Sequence, residues 1–301
     1  MNKSVTTLLV SLFLLMIMIT MEPASAQRPV ERSLLFNPLE SPNVELKEGE
    51  RSWFTQAGGW GSFGNYLFSG DEDHAWQQQL GAYAEIYRWG NRASLALTGH
   101  VEIIADKRND INFSPRAIFW EEGFLYSHRA GRSYLQLGYY HRCKHDVDNL
   151  RLNEERTLVF GSLLARAILP LDISQRNDAF FAIQYDHYTI TWEKRFPDPS
   201  FGQKEYLGDL ISSLKASLFI TNSLGKSSVL YFDGYVKGIY LKDELQVNGM
   251  VRAEIGRETP AGQVRFGIHT EYLADNLVSV NAGSVLLAGI GIRLMPTGVF
   301  R

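Results

Sequence analysis

Over most of its length this chain alternates apolar and polar residues with a period of two, in stretches of ten residues or more. A strand sends successive side chains to opposite faces, so each stretch has one apolar and one polar face. In 92–106, Leu95, Leu97, Gly99, Val101 and Ile103 oppose Ser94, Thr98, His100 and Glu102. In 243–256, Leu245, Val247, Gly249, Val251 and Ile255 oppose Gln246, Asn248, Arg252 and Glu254. In 261–273, Val264, Phe266, Ile268 and Tyr272 oppose Gln263, Arg265, His269 and Glu271. Similar segments fall at 77–89, 115–129, 132–145, 155–169, 178–193, 206–221, 226–240 and 283–295. Globular strands run about five or six residues. Strands that cross a bilayer run about ten, with one face to lipid and one to the lumen. With a first strand near 63–69, the pattern predicts an all-β fold: a transmembrane antiparallel up-and-down β-barrel of about 12 strands.

The links and the start of the chain fit that reading. Gly90-Asn91 is a two-residue hairpin signal, and Arg129-Ala-Gly-Arg132 and the link at 256–262 are also tight. Longer polar links at 106–114, 146–155 and 193–205 fall between them. Short periplasmic turns alternating with longer outer loops are the habit of outer-membrane barrels. Lys3, the apolar run from Leu8 to Ile19 and Ala24-Ser25-Ala26 have the order of a secretory signal peptide. The expected division is therefore a signal peptide at 1–26, an N-terminal periplasmic extension at 27–52 holding Pro29, Pro38 and Pro42, and a barrel at 53–301. No stretch after residue 26 approaches the ~20 apolar residues of a spanning helix. The single cysteine, Cys143, has no internal disulfide partner, and a net charge of -3 gives no support to nucleic-acid binding. Expected partners are outer-membrane lipids and the barrel-assembly machinery.

The inward face is mixed in sign: Glu85, His100, Glu102, Lys215, Asp233, Lys237, Arg252, Glu254, Arg265, His269 and Glu271. About twelve strands make a narrow lumen that large side chains fill. A salt-bridged interior is expected there, with His100 and Glu102 as a possible relay or metal pair. Gly58-Gly-Trp-Gly-Ser-Phe-Gly64 matches G-x-G-x-x-G by letters, but no buried strand precedes it and no helix pattern follows. The chain has no G-x-S-x-G, no phosphate-binding loop, no H-E-x-x-H and no C-x-x-C.

One strand stands apart. In Arg132-Ser-Tyr-Leu-Gln-Leu-Gly-Tyr-Tyr-His-Arg-Cys-Lys-His-Asp146, the face of Leu135, Leu137 and Tyr139 continues into His141, Cys143 and His145. If 129–132 is a periplasmic turn, the strand runs outward and brings His141 and Cys143 toward the outer headgroups. A histidine next to a thiol is an arrangement for nucleophilic acyl transfer. The bland alternative is a small lipid-facing cysteine among interfacial histidines. A metal site built from His141, Cys143, His145 and Asp146 would need a bulge, because alternate positions of one strand lie along a line.

Tyr139-Tyr-His-Arg-Cys143 resembles the Tyr-x-His-x-Ser motif of outer-membrane phospholipase A and, more loosely, the His-x-Ser of outer-membrane lipid A deacylases. The resemblance implies a β-barrel acyl hydrolase with His141 as base and Cys143 as nucleophile. It further implies an orienting asparagine, Asn149 or Asn153, and calcium, with Asp146, Asp148 and Glu154 as ligands. The match covers five residues, cysteine stands for serine, and Lys144-His145 replaces the Asn-Gly that follows the serine. Two functional expectations result. The first is a non-enzymatic barrel with no cofactor, acting as a narrow channel, anchor or surface-interaction protein. The alternative is an outer-leaflet lipid acyl-ester hydrolase.

Overall fold

A computed structural model describes residues 35–41, 44–147, 155–174, 177–196, 205–206, 210–225, 228–259, 262–280 and 283–296. The expected signal peptide lies outside them. The strands are β1 Arg51–Ser69, β2 Trp76–Trp89, β3 Ala93–Asp106, β4 Ser114–Ala130, β5 Ser133–Asp146, β6 Glu155–Ser174 and β7 Asn177–Phe196. They continue with β8 Glu205–Tyr206, β9 Leu210–Ser223, β10 Ser228–Leu241, β11 Leu245–Thr259, β12 Gly262–Leu273 and β13 Val285–Met295. Pairing is antiparallel between sequence neighbours, and β1 closes on β13. The two-residue β8 only abuts β7, which goes on to pair with β9. The wall is therefore a closed barrel of twelve strands, as the alternation predicts.

Both faces follow the sequence pattern. Leu97, Leu135, Leu137, Ile255, Phe266, Ile268 and Leu294 lie on the exposed outer surface, while Glu85, Glu102, Lys237, Glu254 and Arg265 are buried inside. Connections at one end are short: Gly131-Arg132 joins β4 to β5, with Gly131 at φ +65° in a conformation that suits a residue lacking Cβ. The β2–β3 link has three residues, 90–92, rather than the two expected from Gly90-Asn91, because Trp89 pairs with Ala93. The short-turn end is the periplasmic one by the rule for such barrels. Around it runs a belt of aromatic rings: Trp53 on Tyr87 at 4.5 Å, Tyr87 on Trp89 at 4.4 Å, and Trp89 on Tyr126 at 6.2 Å. Toward the other end stand Phe63 and Trp76, 5.2 Å apart, and the exposed Trp120. An apolar exterior between aromatic girdles is the surface of a protein that crosses the outer membrane.

The interior is held by charge-assisted hydrogen bonds. Arg142 donates to Glu102 at 2.7 Å and to Glu121 at 3.2 Å, and Gln77 also donates to Glu102 at 2.6 Å. Glu102 is thus committed to a lumen network, while its expected companion His100 stacks on Trp60 at 5.1 Å. Arg293 bridges Glu254 and Asp233, and Arg166 joins Gln184 to Gln136. A buried charge left unpaired is costly, so each network stays intact or the fold loses it entirely.

Two chain segments fill the mouths. The reading of residues 27–52 as a loose extension holds only in part: of the described residues, 35–41 lie inside the periplasmic mouth, 44–50 are mostly exposed, and β1 begins at Arg51. Leu35 and Leu39 pack with Tyr134, Ile168 and Ala182, and Phe36 packs with Trp60, Tyr83 and Tyr140. Three wall side chains reach its carbonyls: Arg88 and Gln56 donate to Pro38 O at 3.1 and 3.0 Å, and Gln136 to Phe36 O at 2.9 Å. At the outer mouth, residues 274–280 fold inward between β12 and β13. Arg156 grips the Asp275 carboxylate with two bonds of 2.8 and 2.6 Å, and Leu277 and Val278 join an apolar cluster with Tyr66, Phe160 and Leu273.

Arg156→Ala leaves Asp275 buried without its cation, while Glu193 keeps Arg195. It is expected to cost about 3–5 kcal/mol, read as a lowered midpoint for the loss of heat-resistant migration in detergent.

Candidate functional site

With the lumen committed to paired charges, the polar residues that face lipid are the unusual ones. The β4–β5 register sets Phe124 against Tyr139, Glu122 against His141 and Trp120 against Cys143 on the outer surface. Phe124, Glu122 and Trp120 are about half exposed. His141 Nδ1 lies 2.8 Å from Glu122 Oε1. The carboxylate and imidazole therefore form a polar pair with apolar rows on either side. Leu135 and His141 are six residues apart, about 20 Å along the strand and about 16 Å across a wall tilted by ~40°. That puts His141 within the outer part of an apolar band roughly 25 Å tall, and Cys143 one rung nearer the outer surface. Ionisable groups at such depth are expensive and mark function by default.

The neighbours of the pair leave it room. The same outward row holds Gly99 on β3 and Gly161 on β6. A side chain added at Gly99 would meet open space. On the other side the Tyr139 side chain lies over Gly161, so the row is open on the Gly99 side alone.

Of the residues expected at the site, His141, Cys143 and His145 share the outward face, as the alternation predicts. The structure gives His141 an orienting partner the sequence reading missed, Glu122. Asn149 and Asn153, expected in that role, lie outside the described residues, as do Asp148 and Glu154. Asp146 turns to the other face, where Lys144 and the backbone N–H of Arg156 take its carboxylate. It is therefore not a calcium ligand on the lipid side, nor does it join His141, Cys143 and His145 around a metal. Among the described residues no group of three His, Cys, Asp or Glu side chains is placed to hold a metal ion.

The chemistry available is limited and definite. With Nδ1 on Glu122, Nε2 is the ring nitrogen left to take a proton. Base plus orienting acid are two parts of a nucleophile–base–acid relay. The ring's described hydrogen bond goes to Glu122, not to Cys143. A thiol two residues along the same face is about 6.6–7 Å away at Cα, within reach of a ring rotation.

No family model and no curated protein sequence matches the chain. Among solved structures it is similar to outer membrane phospholipase A from Escherichia coli, with 11% identity over 79% of this chain and 92% of that one at a TM-score of 0.44. It is similar to LpxR from Salmonella typhimurium, with 8% identity over 80% and 100% at 0.44. The translocator domain of autotransporter NalP from Neisseria meningitidis shares 13% identity over 79% and 86% at 0.40. Likeness at this level says nothing about activity.

Cys143, the chain's only cysteine, faces the bilayer near its outer edge. In liposomes an uncharged, lipid-soluble maleimide is expected to label it at least about tenfold faster than a bulky anionic one, because the charged reagent is excluded from hydrocarbon.

Proposed function

We propose that the protein is a non-enzymatic outer-membrane barrel that serves as a narrow channel held shut by two segments of its own chain. The observation behind this reading is that both mouths are filled by docked loops rather than by the wall. The periplasmic segment is held largely through its backbone carbonyls, by Arg88, Gln56 and Gln136. A role as a mere anchor gives no reason for a segment seated in each mouth. In planar bilayers the full chain is expected to show no conductance steps, and a chain lacking residues 35–41 to show them. Steady steps from the intact chain would remove the closed state. Silence from both would leave the anchor or surface-interaction role.

A second reading, supported by the Glu122–His141 hydrogen bond, is an outer-leaflet lipid acyl-ester hydrolase. Here His141 takes the Cys143 proton as sulfur attacks an ester carbonyl. The alcohol leaves with that proton, and water then hydrolyses the thioester. Acyl release from phospholipid or lipid A is expected to fall about 10²–10⁴-fold in His141→Ala and in Cys143→Ala. Release that survives both substitutions would sink this reading.

A further inference from the structure

We propose that residues 35–41 form the moving gate and residues 274–280 a fixed lid, so that the internal chamber opens toward the periplasm. This rests on the closed-channel reading above and adds which end opens. The chamber lies inside the wall and is lined by Arg166, Gln184, Lys215, Ser217, Asp233 and Glu271, with Leu35 of the periplasmic segment as part of its boundary. Removing that segment uncovers the chamber from below.

The two closures are held by different chemistry. The lid is tied at both ends to wall strands, β12 and β13. Arg156, fully buried, holds Asp275 with two parallel bonds and also donates to Ser279 O at 3.1 Å. Lys144 donates to Val278 O and Arg195 to Val280 O from the flanking strands, while Asn276 bonds Asp71 from the next outer loop. Opening the lid breaks buried ion pairs, and each charge released stays in the lumen without its partner. The plug is different. Leu35, Phe36 and Leu39 are buried against the wall, and Arg88, Gln56 and Gln136 donate to its carbonyls, bonds that water replaces on release. One side of it is tied to β1 through residues 44–50, most of which are exposed and which include Gly49 at φ +84°. A mostly exposed stretch with a glycine in the left-handed region is a hinge. Release of the plug exposes apolar side chains and carbonyls, whereas opening the lid parts the buried Arg156–Asp275 ion pair.

The test is access to the chamber. Ser217→Cys in a Cys143→Ala background gives one reporter thiol, read by its rate of reaction with a small cationic methanethiosulfonate in detergent-solubilised protein. Heat-modifiable migration checks that each barrel is folded. The double variant Phe36→Asp/Leu39→Asp unseats the plug, and Asp275→Asn weakens the lid. Labelling is expected to be at least about tenfold faster with the unseated plug and within about twofold of the parent with the weakened lid. If the charged variant does not fold, Gln56→Leu removes one carbonyl contact from the wall side and is expected to speed labelling by about threefold or more. No acceleration from any plug variant, or an equal or larger effect of Asp275→Asn, overturns the proposal. Conductance and labelling fail separately. A silent bilayer with accelerated labelling removes the channel and keeps the gate; conductance from the shortened chain without acceleration removes only this gate.

Discussion

Hydrocarbon offers no hydrogen bonds to a backbone, and this constraint governs the whole molecule. Every N–H and C=O within the bilayer must find a partner in the protein, which a sheet achieves only by closing on itself. The pairing of β1 with β13 is that closure. Once the ring is closed, the period-two alternation fixes everything else: one set of side chains goes to lipid and the other to a lumen too narrow for much water. Charges in the second set must then satisfy one another, which is why Arg142, Arg156 and Arg293 each sit among carboxylates. The strength of the interior follows from the exclusion of solvent outside it.

Strand faces and most strand positions were legible in the sequence because both are local; β1 is the exception, running Arg51–Ser69 where only 63–69 was expected, since its glycine-rich first half blurs the alternation. The expected lumen residues Glu85, Glu102, Lys237 and Glu254 are all inside and buried. What was not legible depends on distant partners. Residues 35–41 read as a loose extension because prolines and charges flank them, and the pocket for Phe36 is assembled from Trp60, Tyr83, Tyr140 and Met295. The apolar trio Leu34-Leu35-Phe36 was the available hint. Glu122 was hidden for a different reason: Glu121 stands next to it, so composition alone does not say which of the two faces lipid. Counting alternation from Trp120 and Phe124 assigns Glu122 outward, and only the β4–β5 register reveals that His141 is opposite it.

The wall and the lumen thus make opposite use of ionisable groups. Inside, charge is abundant and internally neutralised, a structural material. Outside, among the described residues, it is scarce: a carboxylate and an imidazole are paired across β4 and β5 within an apolar surface, and His187 stands exposed on β7. Scarcity is what makes the outer pair informative. A polar residue surrounded by polar residues is explained by its neighbours, whereas one surrounded by leucine, phenylalanine and tryptophan needs a reason of its own.

The seat of residues 35–41 also dictates a chronology. The apolar cluster it joins spans the chain, from Trp60 and Tyr83 near the start to Met295 on the last strand. That cluster is incomplete until β13 has come round to β1. This early stretch of the chain is therefore among the last to find its place. Until then the unfinished ring keeps an open bore, and Leu35, Phe36 and Leu39 remain in water.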